Sequence, residues 1–540
     1  MKRKGSLAIF LLSLFLYVVA CGCFPLETKN RWILDKKSGQ RVKLHCANWP
    51  SHMETMLAEG LHKQPLEYIV AQLVVKQQFN CVRFTFSTYM WTKANYRKRT
   101  VAESFDLLNL TEAKAGIAKN NPQFLNMTSV QAYEAVVDEL GRHDLMVVID
   151  NHVSKPEWCC SENDGNGFPG DKYVHRQEWL RGLLMAASHF RGKHQVVGIG
   201  MRNEPRGPFS NPDDWLRYFT EGAKQVHRAN PDILVIIAGL SYAQDFTFLK
   251  KKPMKLDIDN KLVLESHWYP WSWGHNKYWR QQDMNKICPQ LTQFYIDQCA
   301  FVNTGDNAVP LFLGEFGLKQ SEEVPSDHDH WFSCILAFAA DIDVDWGFWA
   351  LQGGYYFRQG KVDMDETFGV ADHEWRSLRN PKVEKRLQLV KRKNIDPAST
   401  NPMSYIMFHP QSGSCVQHRN DSTVYADNCH TFSRWNYDAE SGQIKLDSTD
   451  LCLNVVGDGL PPVLSHCTCE HSRWKPLSDS KLMLGSKDKN GEYLCLHMDD
   501  RDCPTILTRK CIGIDHCSGS REDENEDPTA QWFKLVKTNT

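Results

Sequence analysis

Short apolar runs recur between residues 40 and 350, and polar or turn-forming residues bound each run. The runs are rich in Val, Ile, Leu and Phe and are nearly continuous, which is typical of strands buried on both faces of a parallel sheet. The eight predicted strands are Val42–Ala47, Cys81–Phe86, Leu145–Ile149, Val196–Met201, Ile233–Ala238, Leu262–Glu265, Val309–Leu313 and Trp346–Leu351. Helix-like stretches, such as Val130–Leu140 and Trp215–His227, lie between most of them. Eight such units predict a (β/α)8 TIM barrel, in which Ser87–Ser129 is the clearest insertion.

The N-terminus has the pattern of a secretory signal peptide. Basic residues at 2–4 precede the apolar run Leu7–Ala20, which is too short for a comfortable transmembrane span. We therefore expect residues 1–23 to be removed and the mature protein to be secreted and to have no membrane span; an uncleaved anchor is the alternative. Three sequons fit secretion and predict glycosylation at Asn109, Asn126 and Asn420.

The pattern of apolar and polar residues changes after Arg379. A basic stretch with two prolines predicts a linker at 386–402 between a barrel domain at 24–385 and a second domain at 403–540. The second domain contains a threefold repeat whose copies begin SGSCVQ at Ser412–Gln417, TDLCLN at Thr449–Asn454 and EYLCLH at Glu492–His497. Each copy has a later Cys and then a Trp or Phe. Because units of about 40–50 residues cannot each close a core alone, we expect the three to pack about a pseudo-threefold axis.

Charge and cysteine content narrow the function classes. Lys+Arg 63 against Asp+Glu 65 gives a net charge of -2, which argues against a nucleic-acid-binding protein. The 18 Cys indicate an oxidising compartment. Without Cys21 and Cys23, seven lie in the barrel and nine in the second domain, so one inter-domain disulfide or two free thiols are implied, and the pairing is left open. Cys159 and Cys160 follow the third predicted strand and are expected to form loop disulfides.

Polar side chains follow the ends of several predicted strands, and a parallel barrel gathers such residues at one mouth. Two carboxylates, Glu204 and Glu315, end strands on opposite sides of the ring. The residues that surround them are Arg83, His152, Asn203, His267, Tyr269 and Trp349. Such a set suits the cleavage of a glycosidic bond, in which one carboxyl protonates the leaving oxygen and the other attacks or stabilises the anomeric carbon. Taken singly, Arg83 could be a structural ion pair, and His152 and Trp349 could be core residues.

The motifs at these strand ends resemble those of glycoside hydrolase family 5, a family of retaining enzymes with two catalytic Glu residues. They are Asn-Glu-Pro at 203–205, His-x-Tyr at 267–269 and Gly-Glu-Phe-Gly at 314–317, and the resemblance covers about residues 32–380. It implies that Glu204 is the acid/base and Glu315 the nucleophile.

The physical roles of the site residues follow from these two assignments. We expect Arg83 and Tyr269 to stabilise the charged form of Glu315, and burial and nearby negative charge to raise the pKa of Glu204. The expected separation of the two carboxyl groups is about 5–5.5 Å, which gives retention through a glycosyl-enzyme intermediate. The remaining expected roles are a hydrogen bond from Asn203 to the 2-hydroxyl, orientation by His152 and His267, and a floor for the −1 subsite from Trp349.

The sequence shows no metal or nucleotide motif, and we expect no cofactor. The one hint of a metal site is the run Asp327-His328-Asp329-His330, which we interpret as a solvated turn.

The repeat at 403–540 is similar to the ricin-type (ricin B) β-trefoil lectin, which implies a possible carbohydrate ligand. It departs from the family pattern at Gln417, Asn454 and His497, where sugar-binding repeats have Asp. Ser433 and Ser472 also replace the family's Gln. These departures put sugar binding in doubt, while the repeated Trp or Phe supports the fold.

Together these patterns predict a secreted, monomeric, retaining glycoside hydrolase that resembles the cellulase-like proteins of plants. We expect it to act in the extracellular space, which is the cell wall or apoplast if the protein is from a plant. The expected substrate is a β-linked polysaccharide or oligosaccharide, first of all a β-1,4-glucan, cleaved in the manner of an endoglucanase. Alternatives are a β-mannanase, a glycolipid glycosidase and an inactive carbohydrate-binding protein. The exact polysaccharide and the choice between endo and exo action are left open.

Overall fold

The computed structural model describes residues 25–281, 283–467, 471–499, 505–514 and 527–540. The predicted signal peptide at 1–23 lies outside these residues. No helix in the described part of the chain is both long and apolar enough to cross a membrane. The antiparallel hairpin of β1 (Leu26–Lys29) and β2 (Trp32–Asp35) precedes the main sheet.

Eight parallel strands close into a barrel, as predicted. They are β3 (His45–Trp49), β4 (Cys81–Ser87), β5 (Met146–Val153), β6 (Val196–Gly200), β7 (Leu234–Ala238), β8 (Leu262–His267), β9 (Leu311–Phe316) and β10 (Asp345–Phe348). Neighbours in this order are paired, and β10 pairs with β3 to close the ring. Strands β5, β8 and β9 continue through polar residues that were expected only to follow them, because those side chains are buried among partners at the barrel mouth.

Helices cover the outside of the barrel and fill the predicted insertion. They are α1 (Leu66–Tyr68), α2 (Thr88–Thr92), α3 (Ala94–Arg97), α4 (Val101–Leu107), α5 (Thr111–Asn120), α6 (Ser129–Arg142), α7 (Arg176–His189), α8 (Pro212–Ala229), α9 (Leu240–Ala243), α10 (Met284–Gln298) and α11 (Ser326–Ile342). A π-helix at Ile69–Val75 continues α1, and 3-10 turns lie at Pro122–Phe124, Thr247–Lys250, Ser272–Arg280 and Ala300–Asn303. The start of α6 is fixed by a capping box between Thr128 and Gln131.

The chain leaves the barrel through a hairpin and two short helices. These are β11 (Gly354–Arg358), β12 (Lys361–Asp365), α12 (Pro381–Arg386) and α13 (Gln388–Lys391). Leu389 and Val390 are fully buried in the same apolar cluster as the barrel residues. The first part of the stretch expected as a linker at 386–402 therefore packs on the barrel.

The C-terminal region is all β, as expected. Its described strands are β13 (Ser404–His409), β14 (Ser414–His418), β15 (Val424–Asn428), β16 (Trp435–Tyr437), β17 (Ile444–Leu446), β18 (Leu451–Asn454), β19 (Val463–His466), β20 (Lys475–Pro476), β21 (Leu484–Lys487), β22 (Tyr493–Asp499), β23 (Thr505–Lys510) and β24 (Lys534–Thr538). A 3-10 turn at Pro528–Gln531 precedes the last strand. The repeated aromatic residues Trp435, Trp474 and Phe533 are fully buried in one apolar cluster.

The barrel and the C-terminal region are joined by a buried polar contact. Asn285 of α10 accepts a hydrogen bond from Trp532 Nε1 at 2.9 Å and donates one to the carbonyl of Ile512 at 3.0 Å. Apolar side chains of both regions, such as Phe408 and Trp331, belong to one cluster. The two regions therefore share an interface with a buried apolar part.

Among the described residues, three disulfides lie within the barrel and three within the C-terminal region, and none joins one region to the other. The pairs are Cys46–Cys81, Cys159–Cys160, Cys288–Cys334, Cys415–Cys429, Cys452–Cys467 and Cys495–Cys511. The last three join the repeat's first Cys to its second. The unpaired barrel cysteine is Cys299, which is buried. The odd cysteine counts implied either one inter-domain disulfide or two free thiols. The buried, unpaired Cys299 is a free thiol in the barrel.

Candidate active site

Arg83 is the centre of a buried charge network at the barrel mouth. It lies in β4 and is 0% exposed. Its guanidinium nitrogens lie 3.0 Å from Glu315 Oε1, 2.9 Å from Glu265 Oε1 and 3.1 Å from Asp150 Oδ1. Burial lowers the pKa of this guanidinium, but the three carboxylates raise it overall. Arg83 is therefore a fixed cation that holds side chains from four strands in one arrangement.

Glu315 near the end of β9 has both of the stabilising contacts that were expected for it. Arg83 Nη1 donates to Oε1 at 3.0 Å, and the Tyr269 hydroxyl donates to Oε2 at 3.1 Å. Burial nevertheless raises the pKa of Glu315 to about 7, although the His267 and Arg83 cations oppose the rise. At Glu315 the effect of desolvation on the pKa therefore outweighs that of the neighbouring cations.

His267 lies between the two glutamates. Its Nδ1 is 2.9 Å from Glu204 Oε1 and 3.6 Å from Glu315 Oε2. Burial lowers the pKa of His267, but the surrounding carboxylates, Glu315 first among them, raise it to about 10. The imidazolium is thus a second buried cation, and one oxygen of Glu204 lies within 4.8 Å of one oxygen of Glu315.

His152 is held as a neutral ring beside this pair. Arg83 donates to Asn203 Oδ1 at 2.7 Å, which fixes the orientation of the Asn203 amide. The amide nitrogen then donates to His152 Nε2 at 3.2 Å, while His152 Nδ1 donates to Asp150 Oδ2 at 2.8 Å. Burial and nearby cations lower the pKa of His152 well below its usual value. Asn203 is therefore positioned from two sides.

Trp349 follows β10 directly and faces the same space. Its ring stacks on His152 with centroids 5.6 Å apart. It lines a cavity of about 770 Å³ together with both glutamates. Other aromatic rings in the wall are Trp158, Tyr242, Trp271, Trp273, Tyr355 and Phe368. The predicted residues that line the cavity are His152, Asn203, Glu204, Tyr269, Glu315 and Trp349, while Arg83 and His267 lie directly behind them.

Four residues of the network were not singled out from the sequence. Asp150 and Glu265 each precede a predicted histidine by two positions, and residues two apart share a face of a strand, so their pairing with His152 and His267 could have been inferred. Asn48 accepts from Arg83 Nη1 at 3.0 Å. The His52 ring stacks on His152 at 4.0 Å. Asn48 lies in β3 and His52 in the loop after it. Neither is two positions from a predicted site residue, so the sequence did not indicate either of them.

The run Asp327–His330 is not a solvated turn. It forms the first turn of α11, and its side chains have partners in other elements. Asp327 pairs with Arg280 at 2.9 Å, and His330 pairs with Asp527 at 3.2 Å. These contacts tie the helix start to its surroundings.

Glu204, His267 and Glu315 also offer three ligand atoms close enough for one metal ion. The raised pKa of His267 opposes that use, because a protonated imidazole nitrogen has no lone pair to give to a metal. The group is better described as two carboxyls bridged by a cation.

The asparagines of all three sequons, Asn109, Asn126 and Asn420, are exposed. Their glycosylation stays a prediction.

Comparison with known proteins places this site in a family. Residues 48–354 match Cellulase (glycosyl hydrolase family 5). The chain is 40% identical over 544 residues to a "Glycosyl hydrolase 5 family protein" of Chamaecyparis obtusa, with 98% of this chain and 96% of that protein covered.

Solved structures show the same fold. An endocellulase from Pyrococcus horikoshii has a TM-score of 0.54 and 16% identity, with 69% of this chain and all of that chain covered. The catalytic domain of the major endoglucanase from Xanthomonas campestris pv. campestris has a TM-score of 0.54 and 19% identity, with 68% and 98% covered. The family match and the 40% identity together show that this chain belongs to glycosyl hydrolase family 5 and is a glycoside hydrolase, an enzyme that acts on a carbohydrate.

Proposed function

We propose that the barrel hydrolyses a β-1,4-glucan by double displacement, with Glu315 as nucleophile and Glu204 as acid/base. The observation that carries this proposal is the placement of the two glutamates around His267, with oxygens within 4.8 Å, in an aromatic-lined cavity. This spacing is closer to the separation of about 5–5.5 Å that retaining enzymes have than to the roughly 6.5–9.5 Å of inverting enzymes.

The two steps use the contacts of the site directly. The Glu315 carboxylate attacks the anomeric carbon while the glycosidic C–O bond breaks and Glu204 gives its proton to the leaving oxygen. Glu204 then takes a proton from water, whose oxygen attacks the same carbon and releases Glu315. Arg83 and Tyr269 hold Glu315 in position. We expect the Asn203 amide, which His152 and Arg83 orient, to hydrogen-bond the 2-hydroxyl of the sugar that lies on Trp349.

The choice of glucan rests on relatives whose names describe endoglucanases and endocellulases and on the flat rings of the cavity wall. The test is hydrolysis of β-glucan, xyloglucan, mannan and xylan beside the Glu315→Gln variant. Release of reducing ends from β-glucan by the wild type and not by the variant supports the proposal. Preferential cleavage of mannan, or of a glycolipid after no polymer is cut, would move the assignment to that substrate.

A mechanism-based 2-fluoroglycoside tests the nucleophile separately. The reagent should add one sugar to the protein, and peptide mapping should find it on Glu315. Labelling of another residue, or none in an enzyme that cleaves substrate, would contradict the assignment.

We also propose that residues 403–540 form a β-trefoil. The three repeated disulfides, the twelve described strands and the shared burial of Trp435, Trp474 and Phe533 support it. Two of the positions where lectins have Asp are turned inward in this chain. Gln417 donates to the carbonyls of residues 428 and 431, and Asn454 Oδ1 accepts from the Ser472 hydroxyl at 2.7 Å.

A different place in this region favours a carbohydrate of acidic character. A groove of about 450 Å³ is lined by four cations and one carboxylate beside the Tyr493 ring, namely Arg473, Lys475, Lys487, Lys489 and Asp488. No carboxylate among the described residues lies within ion-pair distance of these exposed cations, and the Lys487 ammonium lies 5.2 Å from the Tyr493 ring centre. Unpaired cations next to a flat ring suit a carboxylated polysaccharide.

Finally, we propose that the enzyme is secreted and acts outside the cell. Six disulfides in the described chain support this, since such bonds persist in oxidising compartments. After expression of the full sequence with a C-terminal tag, detection of the tagged protein in the medium, with residues 1–23 absent by N-terminal sequencing, is the expected result. Retention inside the cell would contradict it.

A further inference from the structure

The cavity has one wall that the proposed chemistry does not use. Trp158, Cys159 and Cys160 follow β5, and Tyr355 and Arg358 lie in the β11–β12 hairpin, yet all five line the same cavity as the two glutamates. The Arg358 guanidinium carbon lies 4.6 Å from the centre of the Trp158 ring and 4.9 Å from that of Tyr355. This cation–π bridge joins loops from two strands of the barrel across its mouth. We call Trp158, Cys159, Cys160, Tyr355 and Arg358 the bridge wall.

The bridge wall is held firmly. The Arg358 side chain is only 18% exposed and pairs with the buried Glu366 at 3.2 Å. Glu366 also accepts from the Tyr355 hydroxyl. On the other side, the buried Asn166 fixes the loop, because its Oδ1 accepts from the backbone N–H groups of residues 154 and 155 at 2.9 and 3.0 Å. These contacts hold Arg358 in place against the Trp158 ring at the edge of the cavity.

The position of the bridge wall relative to the scissile bond follows from the proposed roles. Glu204 protonates the leaving group, and the exposed Trp271 ring, stacked on Tyr269 at 4.7 Å, offers a platform on the side of the β7 and β8 loops. The sugar that Glu315 attacks lies over Trp349 and Asn203 instead. The Asn203 amide nitrogen is 3.8 Å from Cys160 Sγ. The bridge wall therefore bounds the glycone side.

We infer that the bridge wall limits the enzyme to a short glycone, so that it removes short saccharides from the non-reducing end of a β-glucan chain instead of cutting at random within it. This inference rests on the proposed function and adds the mode of action to it. The leaving side stays open to a long chain, because its platform, Trp271, is 47% exposed.

The test uses cellopentaose labelled at the reducing end, with the position of the first cut read by mass spectrometry. We expect the wild type to release one or two sugars from the unlabelled end. On soluble β-glucan it should lower the viscosity little for each reducing end formed. Random cuts and a steep fall in viscosity by the wild type would overturn the inference while leaving the proposed function intact. No cleavage of either substrate would overturn both.

Opening the bridge wall gives the second half of the test. Arg358→Ala and Trp158→Ala should each raise the viscosity loss per bond cut by about threefold or more, since each removes a partly desolvated cation–π contact that closes the wall. Arg217→Ala is the matched control, because Arg217 stacks on Tyr218 at 4.7 Å on α8, outside the cavity. An unchanged ratio in folded Arg358→Ala and Trp158→Ala proteins would also overturn the inference.

Discussion

The barrel and the C-terminal region bury polar groups in opposite ways. At the barrel mouth two cations and three carboxyls are buried and paired with one another. They are Arg83, His267, Asp150, Glu265 and Glu315. Among the described residues of 403–540 no Asp, Glu, Lys or Arg is buried, and the buried polar side chains are neutral ones such as Gln417 and Asn454. Burying charge is costly unless it is paired. The barrel pairs buried charges both at its mouth and away from it, where Arg41 and Lys43 pair with Asp343. The C-terminal region is instead stabilised by apolar packing and three disulfides.

Replacement of the nucleophile should have the largest effect, and it should act on the barrel and not on the C-terminal region. Glu315→Gln should lower kcat on β-glucan by on the order of 10⁴-fold or more, because the amide cannot form the glycosyl ester. Binding of acidic polysaccharide by the C-terminal region should be unchanged. Steady-state kinetics and a pull-down on the same preparation measure both. Loss of binding together with activity would show that the regions are coupled.

Removal of one repeated aromatic should act on the other region. Trp435→Ala should destabilise the C-terminal region by about 3–5 kcal/mol, since it leaves a cavity in a closed core. Trp435→Phe should cost less, because the third repeat already carries Phe533 at this place. Thermal unfolding followed beside activity distinguishes two outcomes. A separate early transition with activity retained supports two units, and one joint transition would show that the interface at Asn285 makes them one.

The pH dependence of kcat/KM should show how the buried cations affect the pKa of Glu315. Glu315 must be ionised to attack, so kcat/KM should fall as the pH drops through its pKa, which burial raises to about 7. His267→Gln removes a cation that lowers this pKa, and the acidic limb should move to higher pH by about one unit. A pH profile of the variant checks this. A limb that stays in place or moves to lower pH would show that His267 does not act through its charge.

The smallest effect is expected at the surface groove. Lys487→Glu should weaken binding to polygalacturonate several-fold at low salt and less at high salt, because exposed charges are screened. Hydrolysis of cellopentaose should not change. Lys537→Glu, an exposed change in β24 outside the groove, is the matched control. Equal weakening by the control would mean that net charge alone governs binding.

Much of the fold and most of the site could be predicted because the signals are local. Continuous apolar runs mark buried parallel strands, and residues at strand ends must meet at one mouth once the barrel closes. Glu204, Glu315 and the six residues around them were found this way. Asp150 and Glu265 were within reach, since each shares a strand face with a predicted histidine. The threefold spacing of Cys and aromatic residues likewise predicted three similar units, but it did not predict which cysteines pair.

What the sequence could not determine depends on contacts between distant segments. Arg358 and Trp158 are 200 positions apart, and nothing in either neighbourhood indicates that they meet. The net effect of burial on the pKa of Glu315 depends on how completely the cavity excludes water, which is a property of the whole mouth. The strands, the repeat and the kinds of groups at the site could all be predicted from the order of the amino acids. Which of those groups are desolvated, and where the cavity ends, depends on packing between elements far apart in the chain, so neither could be predicted without the folded structure.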